Sequence, residues 1–130
     1  MKHLKIFLIT GLALTLFSCS IFKPMQADNG AKTQLNVIQT NVNTMYSHPN
    51  FVQDEYTLVD NEISDLITYD AARPNLIAIV NNVKELQTLV TGIEVRHKAR
   101  GTLNATLQTL YKQTITDKIT DIFTAENKLK

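Results

Sequence analysis

Apolar residues recur along most of this chain in alternating steps of three and four. Leu35, Ile38, Val42 and Met45 form a first stripe, which predicts a helix over about Ala31 to Ser47. His48-Pro49-Asn50 breaks it. Val52, Tyr56, Val59, Ile63 and Leu66 predict a second helix over about Phe51 to Ala72. Leu76, Ile79, Val83, Leu86, Val90 and Ile93 predict a third from Pro74 to about Ala99, and Ile77, Val80 and Leu89 widen its apolar face. Leu107, Leu110, Tyr111, Ile115, Ile119, Ile122 and Phe123 predict a fourth over about Leu103 to Asn127. Such spacing places one side of each helix against a core. The period-two alternation of strands flanked by turns is absent.

Local chemistry sharpens the expected boundaries. Asn50, with Gln53 three residues on, reads as a capping box. Asp54 and Glu55 would fall in the first turn of the second helix, where the helix dipole favours carboxylates. Pro74 suits a first helical position. Gly92 is a point where the third helix could bend or end. Gly101 follows Arg96, Lys98 and Arg100 as a stop signal, and Thr102 can cap what comes next. Short breaks favour antiparallel neighbours. The expected fold class is therefore all-α: an antiparallel bundle of about four helices, with a long hairpin made by the third and fourth.

The N-terminus follows different rules. Lys2 and Lys5 precede an apolar run from Ile6 to Phe17, which is the layout of a secretory leader. The run falls short of the roughly 20 apolar residues needed to span a bilayer as a helix. Leu16-Phe17-Ser18-Cys19 closes it and resembles the lipobox of bacterial lipoproteins. The resemblance covers residues 1–19 only. It implies cleavage between Ser18 and Cys19, diacylglyceryl transfer to the Cys19 sulfur and acylation of the new amino group. By the same resemblance, Ser20 after the cysteine favours the outer membrane over the inner one. Acyl chains of this kind anchor a protein stably, at about 0.8 kcal/mol per buried methylene. The expected organisation is a leader over 1–18, the acylated cysteine and a flexible tether over 19–32, and a bundle domain over 33–130.

Composition narrows the function. The chain has 130 residues, 44% of them hydrophobic, and a formal net charge of +1. Loss of the leader would remove two lysines and leave 11 basic against 12 acidic residues. Nucleic acid is thus not an expected partner. A single cysteine rules out an internal disulfide framework and a Cys-rich zinc site.

Candidate chemistry is sparse. Glu94 and His97 form one Glu-x-x-His, but a di-metal bundle needs two such motifs and two further glutamates. His48 lies before Pro49 with no such partner, so neither a metal nor another cofactor is expected. The simpler reading puts His97 at a helix end, facing the dipole or solvent. The second helix carries Asp54, Glu55, Asp60, Glu62, Asp65 and Asp70 with no base before Arg73. These acids read as a solvated face, or, over Asp54, Glu55, Asp60, Glu62 and Asp65, as a docking face for a basic partner. Arg96, Lys98 and Arg100 form a basic patch that either compensates a helix end and pairs with the acidic helix or touches anionic headgroups. Tyr46, Tyr56, Tyr69 and Tyr111 fit the core, with hydroxyls at its edge. Asn104-Ala105-Thr106 has the form of a glycosylation sequon. No nucleophile elbow, phosphate loop or dinucleotide fingerprint occurs, and no catalytic residue is expected.

The expectation is a small membrane-anchored envelope lipoprotein without enzymatic activity. It would meet the membrane through its lipid and would bind or modulate another envelope protein. The alternatives are a helical bundle that binds a small ligand, and an exclusion or immunity lipoprotein of a mobile element.

Overall fold

A computed structural model describes residues 29–129 of the chain. Cys19, Ser18 and the stretch up to residue 28 lie outside the described residues. Four helices follow one another: α1 (Asn29–Met45), α2 (Gln53–Ala71), α3 (Ile77–Arg100) and α4 (Ala105–Asn127). α1 packs on α2 and α4, and α3 packs on the same two, which closes a four-membered ring. Among the described residues the diagonal pairs, α1 with α3 and α2 with α4, have no close backbone approach.

The stripes meet inside this ring. Ala31, Leu35, Ile38, Val42 and Met45 of α1 are buried, as are Tyr56, Val59, Ile63 and Leu66 of α2. Ile79, Val83, Leu86, Val90 and Ile93 of α3 face Tyr111, Ile115, Ile119 and Ile122 of α4 in the same core. Steps of three and four keep the apolar seam on one side of a nearly straight helix, the geometry of bundles with small crossing angles. Polar contacts lie along the seams. Gln39 Nε2 donates to Thr116 Oγ1 at 3.1 Å between α1 and α4. Lys118 pairs with Glu85 at 2.5 Å between α4 and α3.

The helix ends depart from expectation in several places. α1 starts at Asn29, so the segment 29–32 is helical rather than tether, and Ala31 begins the core. α3 starts at Ile77, not Pro74, because Asn75 takes a left-handed φ of 63° that no helix can include. Asparagine tolerates that conformation better than most residues. Asn50 does not cap α2. Its backbone forms an isolated antiparallel bridge with Thr102, and Val52 occupies the cap position with no side-chain bond. Asn104, rather than Thr102, caps α4 by accepting from the Leu107 N–H at 2.9 Å. Gly92 does not interrupt α3, whereas Gly101, at φ 71°, ends it as expected. Leu110, read as part of the fourth stripe, is 54% exposed.

The bridge also fixes direction. Phe51 N–H donates to Gly101 O at 2.8 Å, and Leu103 N–H donates to Pro49 O at 2.9 Å. The α1–α2 and α3–α4 connections therefore share one end of an up-down-up-down bundle. The α2–α3 turn, the start of α1 and the end of α4 share the other.

Candidate functional site

Among the described residues three polar side chains, Asp70, His97 and Glu126, are completely buried. Each extends an apolar stripe by one step. Asp70 comes four residues after Leu66, His97 four after Ile93 and Glu126 four after Ile122. They divide into two clusters, one at each end of the bundle.

At the α2–α3 turn, Arg73 enters between two carboxylates. Its Nη1 lies 2.8 Å from Asp70 Oδ1 and 2.8 Å from Glu126 Oε1, and Nη2 lies 3.1 Å from Glu126 Oε2. The bond to Glu126 is thus bidentate, the fork geometry that guanidinium favours. The Tyr69 ring centroid is 5.9 Å from the guanidinium carbon. Burial alone would lower the Arg73 pKa, but Glu126 and Asp70 outweigh it and hold the pKa above its ordinary value. Asp70 therefore does not belong to a solvated acidic face. It faces inward because the α2 stripe reaches it.

At the opposite end, His97 Nε2 lies 3.0 Å from Pro49 O and Nδ1 lies 2.9 Å from Tyr56 Oη. Tyr46 Oη lies 3.1 Å from Tyr56 Oη. A carbonyl can only accept, so Nε2 carries the hydrogen. In the neutral ring Nδ1 then accepts from the Tyr56 hydroxyl, and Tyr56 accepts from Tyr46. All donors in the chain point one way. Burial raises the Tyr46 pKa far above the ordinary phenol value, and its bond to Tyr56 adds to the rise. Burial likewise pushes Tyr56 up to about 12, although its bond with Tyr46 acts the other way. Phe51 stacks on Tyr56 at 5.4 Å and meets His97 edge-on at 5.5 Å. His97 therefore faces neither solvent nor the helix dipole alone, as the sequence suggested. It closes the core under the two bridged loops.

The surface acids do not share one free face. Asp54 and Asp65 are exposed. Glu55 takes His48 Nε2 at 3.1 Å. Asp60 accepts from Gln87 Nε2 of α3 at 3.1 Å, and Glu62 accepts from Asn41 Nδ2 of α1 at 2.6 Å. Asp60 and Glu62 thus flank the buried stripe of α2 on opposite sides and join it to different neighbours.

Arg96, Lys98 and Arg100 are all exposed at the end that holds His97. Lys98 makes a 3.4 Å contact with Gln53 Oε1, and Gln53 Nε2 donates to Glu94 Oε1 at 2.6 Å. Glu94 is engaged there while His97 turns into the core, so the Glu-x-x-His does not converge on one point. Among the described residues no group of three or more His, Cys, Asp or Glu side chains is arranged to hold a metal ion. No described helix is long and apolar enough to cross a membrane. A groove of about 310 Å³ between α1 and α2 is lined by Thr33, Gln34, Val37, Glu62 and Asp65.

The sequence reading missed both buried clusters, although the signal was present in the spacing. Carrying the three-four alternation one step further in α2, α3 and α4 reaches Asp70, His97 and Glu126. No family model matches the chain, and no curated protein or solved structure matches it.

Proposed function

We propose that this chain is a lipid-anchored envelope protein whose helical bundle acts by binding another envelope protein, without catalysing a reaction. The observation that carries this reading is Leu16-Phe17-Ser18-Cys19 at the exit of a short apolar run behind two lysines. The cell-envelope location follows from that resemblance, with the outer membrane favoured by Ser20. Two features of the bundle support a binding role. The buried tyrosines, His97, Asp70 and Glu126 are engaged in internal hydrogen bonds and ion pairs. The basic group Arg96, Lys98 and Arg100 stays exposed, whereas three of the five candidate docking acids are engaged within the molecule. The basic end is therefore the stronger candidate for partner contact, and an acidic protein surface is the complementary chemistry.

The test has two arms. Cys19→Ser should leave an uncleaved precursor without acyl groups, seen by intact mass. Neutralising the patch (Arg96→Gln, Lys98→Gln, Arg100→Gln) should leave the helical circular dichroism unchanged and reduce capture of the partner that native protein co-purifies with. Normal maturation of the Cys19 variant would refute the anchor. Undiminished capture by the neutralised variant would refute the basic end as the contact.

A further inference from the structure

We infer that the bundle stands on its membrane by the α2–α3 turn, an apolar tip that rests in the headgroup region of the bilayer. This rests on the lipid anchor proposed at Cys19.

Connectivity supplies the first argument. The chain enters the bundle at Asn29, and α1 begins at the end where α2 passes into α3. Ten residue steps separate Cys19 from Asn29. Even fully extended they reach at most about 36 Å. α3 has 24 residues and is about 36 Å long. Reaching the far end of the bundle would require the linking chain to be almost fully extended. The anchor therefore favours the turn end as the side nearest the lipid.

The chemistry of the tip is the second argument, and it is independent of the first. Ala71, Ala72, Pro74, Ile77 and Ala78 are all exposed, with Asn75 the one exposed polar residue among them. Ile77 is 76% exposed, more than any other large hydrophobic residue among those described. Arg73, the one charged residue between Ala71 and Ala78, is turned inward to Asp70 and Glu126. A mostly apolar turn whose one charge is paired inward costs little to place in the polar headgroup region, and it gains by removing Ile77 from water. The opposite end carries Arg96, Lys98 and Arg100. On this geometry the basic patch points away from the anchoring bilayer and does not read its headgroups.

The test uses the full acylated chain in vesicles of phosphatidylethanolamine and phosphatidylglycerol containing a brominated lipid. Acylation blocks Cys19, so a single introduced cysteine takes an environment-sensitive fluorophore. The label at Ala72→Cys should shift to the blue and lose most of its emission to the brominated lipid. At Arg100→Cys it should do neither. Adding Ile77→Asp to the Ala72→Cys protein should restore the emission while circular dichroism stays unchanged. An intact mass without acyl groups at Cys19 overturns the anchor and this orientation with it. If acylation is intact and the label at 72 is unquenched, the orientation alone is overturned. The tip is then covered by residues 20–28, covered by a second copy, or left in water. Quenching at 100 in place of 72 means that the bundle is inverted, which also overturns it.

Discussion

Replacing Arg73 by methionine should destabilise the bundle more than any exposed substitution. The methionine side chain can fill the stem's space but returns no donors. Asp70 and Glu126 are both completely buried, and they receive from Arg73 three contacts of 2.8, 2.8 and 3.1 Å. Removing the cation leaves two carboxylates facing the same space without its charge. Breaking a buried ion pair by deleting one partner costs about 3–5 kcal/mol, chiefly because the remaining charge is desolvated and uncompensated. Domains of this size are typically stable by about 5–15 kcal/mol, so the loss is a large fraction of the total. Urea unfolding followed by circular dichroism at pH 7 reads it directly, as a lower midpoint with an unchanged slope. The triple replacement Asp70→Leu, Arg73→Met, Glu126→Leu removes every charge together. It should recover most of the loss, since hydrophobic replacements of buried ionic groups are often neutral or stabilising. If Arg73→Met shifts stability by less than about 1 kcal/mol, the triad is worth no more than an exposed pair. The burial argument would then be wrong.

Two further outcomes follow from the core and from its tyrosines. Leu86 is completely buried at the middle of α3; Leu86→Ala should cost about 2–5 kcal/mol in urea unfolding, and a silent substitution would refute the α3 stripe assignment. Tyr56 is held at about 12 in the folded protein by burial, against about 10 in an unfolded chain. Both states keep this proton below pH 10, so its contribution there is flat. Between pH 10 and 12 the unfolded chain releases it first, and stability falls by at most about 3 kcal/mol. Tyr56→Phe should show a shallower decline than the native protein over that window, and equal declines would contradict the buried assignment.

The apolar seam was legible because packing among four helices repeats one rule, and Leu35, Val59, Val83 and Ile115 all obey it. Boundaries were less legible where longer-range geometry overrode a local preference. Asn50 has the composition of a cap, but the bridge to Thr102 extends its backbone and holds the loop against one 52 residues away. Pro74 suits a helix start, yet Asn75 turns the chain left-handed and postpones α3 by three residues. The buried polar residues were hidden for another reason. Hydrophobic patterning ends a stripe at the first charged side chain, so by pattern alone Asp70 groups with its exposed neighbours. Only the Arg73 guanidinium, which the turn brings back over it, makes an aspartate tolerable at that position.

The two clusters solve a problem that the ring of helices leaves open. Each helix packs on its neighbours, while the diagonal pairs have no close backbone contact among the described residues. Apolar side chains fill the core, and because burial is non-directional it discriminates only weakly between one vertical register and another. Directional groups at the ends do distinguish them. Arg73 joins Asp70 of α2 to Glu126 of α4, and the chain Tyr46–Tyr56–His97 leads from the end of α1 through α2 to α3. Both diagonals are thus tied, one by charge beneath the α2–α3 turn and one by neutral hydrogen bonds beneath the bridged loops. Sliding α4 by a heptad would strand Glu126 without Arg73, and sliding α3 would separate His97 from Pro49 O. Either slip buries an unpaired polar group, at a cost of about 1–3 kcal/mol and more where the group is charged. Register in this bundle is therefore set at its two ends, while the apolar middle supplies most of its stability.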